Sequence, residues 1–387
     1  MKSEAQDMQD LVLDIERYRT SIRAGRYDAA QALFYEQLAY PLKYRVGAYR
    51  TAIAMLRDLF LDGEDRLPAL KNEGHQVWTL NELATCYGLS GQTRRAVPLL
   101  ELANEIDERR GNKAGLAIGL GNLADQCIEL GELKAADAHL RQRIAICRET
   151  GDEFREAVGH QELGRLLAYE GVFHESAREL GVALAAFCWQ EEIQSEGIVW
   201  SHRALRATLM EDPGVAVEAA RRALELAGKE DFIRDVIKAE WLLGNALVAL
   251  ACEAHEGRDE ILAEAETHLT HAYANCRRIH LMELVPLILL AWAHWESAQR
   301  HADKALPYAE EALAIAERCA YRLKQAEVLN FLAALALERD DTATAARHAQ
   351  AAYERAWCDG PPHWHKAVID DAGRIMAQLG VPLPRPE

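Results

Sequence analysis

Histidine and cysteine are the residues of this sequence whose side chains could bind a metal ion. His268, His271 and Cys276 fall within one predicted helix and share part of one face. A structural zinc site needs four such ligands, and no fourth ligand follows at a matching spacing. The eight cysteines are scattered without close pairs, mostly where a helix would bury a small apolar side chain. We therefore predict reduced core cysteines, no bound metal and no cofactor.

Motifs for nucleotide-dependent or metal-dependent catalysis are missing from the sequence. It contains neither the Gly-x-x-x-x-Gly-Lys-Ser/Thr phosphate loop nor a His-Glu-x-x-His zinc motif. His363 and His365 flank Trp364 after two prolines, but neighbouring side chains diverge on a helix or a strand. A capping role at the protein surface is expected for them. The sequence predicts a protein that is not an enzyme.

An internal repeat determines which side chains can lie together. Its equivalent positions, each 40 residues apart, are Leu83, Leu123 and Leu163, then Gly91, Gly131 and Gly171, then Ala96, Ala136 and Ser176. Apolar residues follow helical spacing from Leu116 to Cys127 and stop at Gly131, and a second helical run stops at Gly151. Each unit is therefore predicted to be a helix, a tight turn and a second helix, stacked on its neighbours.

These residues resemble the tetratricopeptide repeat (TPR), whose pattern has Leu and a small residue, then an aliphatic residue, a Gly and an Ala. The pattern is clearest at Leu123, Ala124, Cys127, Gly131 and Ala136. The 40-residue form is similar to Pins-type and kinesin-light-chain-type repeats, and to the sensor arrays of bacterial STAND signal-transduction ATPases. The resemblance implies an all-α, right-handed superhelix of about eight or nine helix pairs with a C-terminal capping helix.

One solenoid is expected over residues 1–380, because stacked repeats lengthen a chain without adding domains. The first units, 1–74, are irregular: a helix over 42–61 is expected, followed by either a short helix or a local distortion. The most regular repeats span 75–190. Further repeats span 191–358 and contain an insertion near 251–262 that is expected to lengthen a turn. A cap helix over 363–380 and a tail over 381–387 complete the chain.

Composition excludes some partners. The formal net charge of −17 argues against direct nucleic-acid binding, which needs clustered Lys and Arg, whereas a basic partner surface would suit an acidic chain. No apolar run reaches the roughly 18–20 residues that cross a bilayer. The first residues also lack the pattern of a signal peptide. We expect a cytoplasmic protein without membrane contact.

In arrays of this type the first helix of each pair lines a concave groove. Asn and Gln there can donate to and accept from a peptide backbone, and Trp offers a large apolar contact. Packing between helices is the alternative for Trp241, Trp292 and Trp295. The predicted groove residues are Trp78, Asn81, Thr85, Asn122, Asp125, Gln161, Arg165, Lys238, Trp241, Asn245, Trp292, Trp295 and Asn330.

Two functions are compatible with this groove. The first is a non-catalytic interaction module that holds a peptide or protein segment. The second is a ligand-sensing array of a bacterial regulatory system, which closes around a small molecule and controls an effector partner. A long groove with repeated amides would favour the first function. A deep pocket lined by Trp241, Trp292 and Trp295 would favour the second.

Overall fold

Apolar residues at helical spacing, interrupted by turn residues, fold into a series of α-helices. The computed structural model describes residues 7–229 and 232–384, and this part contains eighteen α-helices and no β-strand. The predicted tail over 381–387 therefore lies partly outside the described residues. The helices are α1 Val12–Arg23, α2 Tyr27–Leu33, α3 Tyr49–Arg57, α4 Glu73–Leu89, α5 Thr93–Arg109, α6 Lys113–Leu130, α7 Leu133–Thr150, α8 Glu153–Tyr169, α9 Phe173–Trp189, α10 Ile193–Leu209, α11 Pro213–Ala227, α12 Ile233–Glu253, α13 Arg258–Arg278, α14 Val285–Ala298, α15 Ala302–Arg318, α16 Arg322–Glu338, α17 Thr342–Ala356 and α18 Lys366–Gln378.

Helices α4 to α17 form seven successive antiparallel pairs, and a residue in the left-handed backbone conformation ends most of them. At Gly131, with φ +76°, this conformation lets the next N–H, from Glu132, donate to the Cys127 carbonyl at 2.9 Å. The left-handed residues recur every 20 positions, first as Gly91, Gly111, Gly131, Gly151, Gly171, Glu191 and Glu211, and later as His280, Arg300, Ala320, Asp340, Gly360 and Gly380. Each 40-residue repeat thus consists of two 20-residue segments that each end at a left-handed residue, and this residue is glycine in only some of the segments.

The Leu-Gly dipeptides bring the two helices of a pair close together. A Cβ atom on Gly164 of α8 would lie 2.7 Å from Leu180 Cγ of α9. The same is true of Gly244 in α12, where Leu269 Cγ of α13 would be 2.7 Å away. Because these Leu side chains are fully buried, the small position directly sets the core packing of the pair.

Two details of the expected layout are wrong. The helix expected over 42–61 is divided: a π-helical turn Pro41–Arg45 is followed by Gly47, with φ +67°, and then by α3. No helix follows α3 until α4. The insertion near 251–262 lengthens helices rather than a turn, since α12 and α13 have 21 residues each and only four residues connect them. The inserted residues therefore extend both α12 and α13, and the two helices remain packed against each other along this extension.

The superhelix completes one turn, and its second turn packs against its first. The Met282 N–H donates to the Leu89 carbonyl at 3.2 Å, 193 positions earlier in the chain. Farther along, Lys324 pairs with Glu129 across 195 positions, and His363 contacts Glu170 at 2.7 Å across 193. One superhelical turn therefore takes just under five helix pairs. The concave face is enclosed by this second turn instead of remaining an open groove.

Helix α18 packs its buried residues Val368, Ile369, Ala372 and Met376 against α16 and α17. Its other side faces the interior of the last superhelical turn. In the part of the chain that the structure describes, no helix is long and apolar enough to cross a membrane.

Candidate ligand-binding cavities

Polar side chains at the same or an adjacent repeat position of successive units bond to one another along the inner wall. Asn122 Nδ2 donates to Asn81 Oδ1 at 3.2 Å, 41 positions away. One unit farther on, Arg165 donates to Asp125 at 2.7 Å across 40 positions. Near the C-terminus, Asn330 donates to Asp371 at 3.3 Å across 41 positions. The 40-residue rise of the repeat therefore converts a sequence period into a ladder of polar contacts.

The first of two cavities on this inner wall, the N-terminal cavity, has a volume of about 450 Å³. On one side it is lined by α4, α6 and the π-helical segment Pro41–Arg45, which belong to the first superhelical turn. On the other side it is lined by residues of the second superhelical turn that precede α14 and α16. Ile118, which is 39% exposed, and Arg234, whose side chain is 45% exposed, connect it to solvent. Its polar and aromatic lining residues are Lys43, Tyr44, Trp78, Asn81, Glu82, Thr85, Asn122, Asp125, Gln126, Glu129, Arg234, Glu283 and Tyr321.

Every carboxylate of the N-terminal cavity is paired with a cation. The four pairs are Glu82 with Lys43, Asp125 with Arg165, Glu129 with Lys324 and Glu283 with Arg234. The last three pairs join residues of different helix pairs or of different superhelical turns. Two acceptor atoms nevertheless have no hydrogen-bond partner among the described residues, namely Glu82 Oε1 and Gln126 Oε1. Both side chains are buried. A buried acceptor without a donor costs about 1–3 kcal/mol, so a ligand N–H would be favoured there.

Four side chains separate this cavity from the next, and we call them the axial ion cluster: Glu162, Arg165, His202 and Lys238. Burial alone would raise the pKa of Glu162, but Arg165 at 2.9 Å overrides it and holds that pKa below its usual range. Burial and the Arg165 charge lower the pKa of Lys238 to about 8. Burial and Lys238 hold the pKa of His202 well below its usual value, so the neutral ring accepts from Lys238 at 3.0 Å.

The C-terminal cavity, of about 440 Å³, is surrounded by the first helices α8, α10, α12, α14 and α16 and by α18. It shares no lining residue with the N-terminal cavity. Its aromatic walls come from Tyr169, Trp241 and Phe331, of which Trp241 is only 7% exposed. The polar lining residues are Thr208, Glu211, Asn245, His294, Ser297, Glu327, Asn330, Glu338, His365 and Asp371.

The charged side chains that line the C-terminal cavity are mainly carboxylates. Four carboxylates line it, and neither Lys nor Arg does. Burial raises the pKa of Asp371; Arg374, 2.9 Å away, opposes this shift, and Glu211 adds to it. Burial lowers the pKa of His294 to about 4, so this ring is neutral at pH 7 although it remains accessible from the cavity. Carboxylates therefore outnumber cations in the lining, while three arginines line the adjoining pocket that shares Glu338 with this cavity.

The structure separates the predicted groove residues into four groups. Trp78, Asn81, Thr85, Asn122 and Asp125 line the N-terminal cavity. Trp241, Asn245 and Asn330 line the C-terminal cavity. Arg165 and Lys238 belong to the axial ion cluster, and buried Gln161 donates to Glu162 there at 2.8 Å. The last group, Trp292 and Trp295, lines neither cavity.

Trp292 and Trp295 pack between helices, as the alternative interpretation of the sequence had it. Trp295 Nε1 donates to the Leu262 carbonyl at 2.9 Å. The Trp292 ring stacks on Tyr308 with a centroid distance of 6.1 Å. Of the three later tryptophans, Trp241 alone lines the C-terminal cavity, so the pocket of three tryptophans that would favour the sensor function is not formed by the described residues.

Some of the lining residues that the sequence did not single out lie outside the first helices of the units. Lys43 and Tyr44 lie in the π-helical turn, and Glu283 and Tyr321 lie just before α14 and α16. No periodic signal points to them, because they reach the site through the stacking of two superhelical turns. Glu327, in contrast, lies one helical turn before Asn330 on α16, and Asp371 lies 41 positions after Asn330 on α18.

His268, His271 and Cys276, which the sequence analysis considered as possible metal ligands, contact other groups of the protein. His268 Nδ1 contacts the Glu240 carboxylate from the neighbouring helix, and His271 lies 3.7 Å from the same group. Cys276 donates to the Leu281 carbonyl at 2.9 Å. Within residues 7–229 and 232–384, no group of three or more His, Cys, Asp or Glu is arranged to hold a metal ion.

Comparison with solved structures identifies the architecture. The Rap conjugation gene regulator of plasmid pLS20, in complex with the Phr* peptide, aligns over 95% of this chain and 97% of its own, with a TM-score of 0.62 and 12% identity. A Rap protein complexed with Competence and Sporulation Factor aligns over 96% and 99%, with a TM-score of 0.59 and 14% identity. The chain has the fold of a TPR-type helical repeat protein.

A STAND signal-transduction ATPase with a tetratricopeptide repeat sensor, from Pyrococcus horikoshii, also aligns with the chain. That protein covers 94% of this chain with a TM-score of 0.46 and 16% identity, and 52% of its own length is aligned. No protein-family model and no curated protein matches the sequence of the chain. At these identities the similarity concerns the fold alone.

Proposed function

We propose that the protein is a non-catalytic interaction module whose N-terminal cavity binds a short extended peptide segment. The observation that carries this proposal is the bonded amide pair Asn81 and Asn122, which faces a solvent-connected cavity together with two acceptors that lack donors. An extended backbone presents N–H and C=O groups in alternation, and amide side chains can bond both.

The charge pairing of the cavity supports recognition of a backbone over recognition of a charge. Its four carboxylates already have cationic partners. An occupant is therefore not required to neutralise them, whereas its N–H groups can satisfy Glu82 Oε1 and Gln126 Oε1. Trp78 supplies an apolar surface beside the amides, where its ring already contacts Tyr35 at a centroid distance of 5.0 Å.

The solved structures of the same fold support this choice of ligand. One of the two Rap structures holds the Phr* peptide, and the other holds Competence and Sporulation Factor. Both align with nearly the whole chain. A peptide-responsive regulator that acts on a protein partner is the role that these neighbours suggest for the present chain.

A random pentapeptide pool tests the proposal. The full chain captures peptides from the pool, mass spectrometry identifies those enriched, and calorimetry measures their affinity for the wild type and for Asn81→Leu/Asn122→Leu. Because the double variant removes both bonded amides and keeps their approximate shape, its stability should change little. The affinity should fall at least about tenfold, as expected for the loss of one or two hydrogen bonds.

Gln350→Leu is the matched control, since Gln350 is an exposed amide on α17 outside both cavities. It should bind the enriched peptides like the wild type. Equal affinity of the double variant and the wild type would show that these amides do not bind the peptide. No enrichment over a matrix without the protein would reject the peptide proposal altogether.

A further inference from the structure

The C-terminal cavity has the features of a second and chemically different binding site. Glu211 and Glu338 are exposed, so they mark its solvent end. Trp241 and His365 are 7% and 0% exposed and form its deep end. Its volume of about 440 Å³ is within the range of about 300–1,000 Å³ that is usual for small-molecule sites.

Two buried or half-buried groups in this cavity have an unused acceptor. His365 Nε2 bonds to Glu327 Oε1 at 2.9 Å, and its Nδ1 has no partner among the described residues. The contact with Glu327 favours the tautomer that has its proton on Nε2, and in this tautomer Nδ1 is an acceptor. Asn330 uses its Nδ2 for Asp371, which leaves Asn330 Oδ1 without a donor. Both unused atoms therefore call for an N–H or O–H group on a ligand.

Charge and aromatic surface restrict the ligand further. Glu211, Glu327, Glu338 and Asp371 line the cavity, while Arg374 contacts Asp371 from an exposed position outside it. A cation would remove the mutual repulsion of these carboxylates, and aromatic faces attract cations as well. The Tyr169, Trp241 and Phe331 side chains also require an apolar body to cover them.

We propose that the C-terminal cavity binds a small organic ammonium ion, a primary amine carried on an aromatic or aliphatic body. The ammonium group donates to the carboxylates and to the unused acceptors, and the apolar body packs against Trp241 and Phe331. This site is separate from the peptide site, because the axial ion cluster lies between the two cavities.

Calorimetry with ligands matched in shape tests the proposal on the full chain. The probes are 2-phenylethylamine, tryptamine and hexylamine, each compared with its neutral alcohol, and 3-phenylpropionate as the anion. We expect at least one amine to bind, its alcohol to bind at least about tenfold more weakly, and the anion not to bind. If no amine binds at millimolar concentration, or if amine and alcohol bind equally, the proposal is wrong.

Conservative variants locate the binding. Glu338→Gln and Asp371→Asn should each weaken the amine at least about threefold to tenfold. The control Glu310→Gln changes an exposed carboxylate on α15 outside the cavity and should have no effect. Glu338 is exposed, so its variant folds even if Asp371→Asn does not. Unchanged amine affinity in Glu338→Gln and in the folded Asp371→Asn protein would overturn the assignment.

The variant that tests the peptide site also shows whether the two sites are independent. Asn81→Leu/Asn122→Leu should leave amine binding unchanged, so failure of the peptide proposal does not affect this one. A different result is that no free amine binds while a lysine-containing peptide loses affinity in Glu338→Gln. That result would assign the carboxylates to a peptide side chain and reject the small-molecule site.

Discussion

The two cavities are built from equivalent positions of the same repeat, yet their charges differ. In the N-terminal cavity each of the four carboxylates has a Lys or Arg beside it, whereas in the C-terminal cavity only Asp371 of the four has one, Arg374. The difference follows from their place in the superhelix. The N-terminal cavity is covered by the next superhelical turn, which supplies Arg234 and Lys324. The C-terminal cavity is instead lined by α18, which contributes the carboxylate Asp371 together with its partner Arg374.

Lys324→Met should show the largest difference between the two cavities in how much a charged side chain contributes to stability. Lys324 is 5% exposed and pairs with half-buried Glu129 of the other superhelical turn. Removing one partner of a buried pair leaves the other charge uncompensated, so we expect a loss of about 3–5 kcal/mol in the free energy of unfolding. Urea unfolding followed by circular dichroism measures this loss.

The double variant Lys324→Met/Glu129→Gln should recover most of that loss, because no unpaired charge remains. In the C-terminal cavity, Glu338→Gln should change the free energy of unfolding by less than about 0.5 kcal/mol, or raise it, since it removes a repelling charge. A comparable loss from Glu338→Gln would mean that the charges of the two cavities are balanced in the same way.

Gly47→Ala should disturb the wall of the N-terminal cavity through packing. Gly47 has φ +67°, and a Cβ atom there would lie 2.4 Å from the Ile279 backbone oxygen. Backbone strain and overlap together should cost about 2–4 kcal/mol. Gly25 has the same φ with no atom near the added Cβ, so Gly25→Ala should cost only about 1–2 kcal/mol.

Thermal unfolding of both glycine variants measures the difference, and peptide affinity of the folded Gly47→Ala protein shows whether the cavity changes shape. Equal stability of the two variants would mean that the contact between Gly47 and Ile279 is not maintained in solution. Amine binding in the C-terminal cavity should be the same in both.

Lys238, in the cluster between the cavities, should give a smaller effect that depends on pH. Its pKa is about 8 in the folded protein and 10.5 in its ordinary state. Between these values the unfolded chain binds more protons, so the contribution of Lys238 to stability increases as the pH rises. The difference in unfolding free energy between wild type and Lys238→Met should increase by roughly 1 kcal/mol from pH 8 to pH 9 in favour of the wild type. A difference that is constant over this range would mean that Lys238 is not buried among cations.

The repeat pattern was sufficient to predict the helix pairs and the side of each first helix that faces inward. Asn81 and Asn122 were both predicted to line the groove, Asn122 lying beside the position that is equivalent to Asn81, and they bond to each other. Trp292 illustrates the limit of such reasoning. Its position in the repeat suggested the groove, but α14 has only 14 residues and follows an irregular turn, and the ring stacks on Tyr308.

The π-helical turn and the enclosure of the groove have no comparable signal. Lys43 lies 39 positions before Glu82 but outside any regular helix of the repeat. Arg234 and Glu283 reach the N-terminal cavity from nearly a full superhelical turn later. Local spacing carries no information on contacts at such a separation, because these depend on the summed twist of several units.

The sequence by itself determined the helix, turn and helix of each unit, because helical spacing and turn chemistry act over only a few residues. It also determined that several first helices carry amides or tryptophans at positions predicted to face the groove. The tertiary structure alone decided which of these side chains share a cavity. The superhelical twist brings residues about 193–195 positions apart into contact, and this closure supplies cations to the carboxylates of one cavity but not to those of the other.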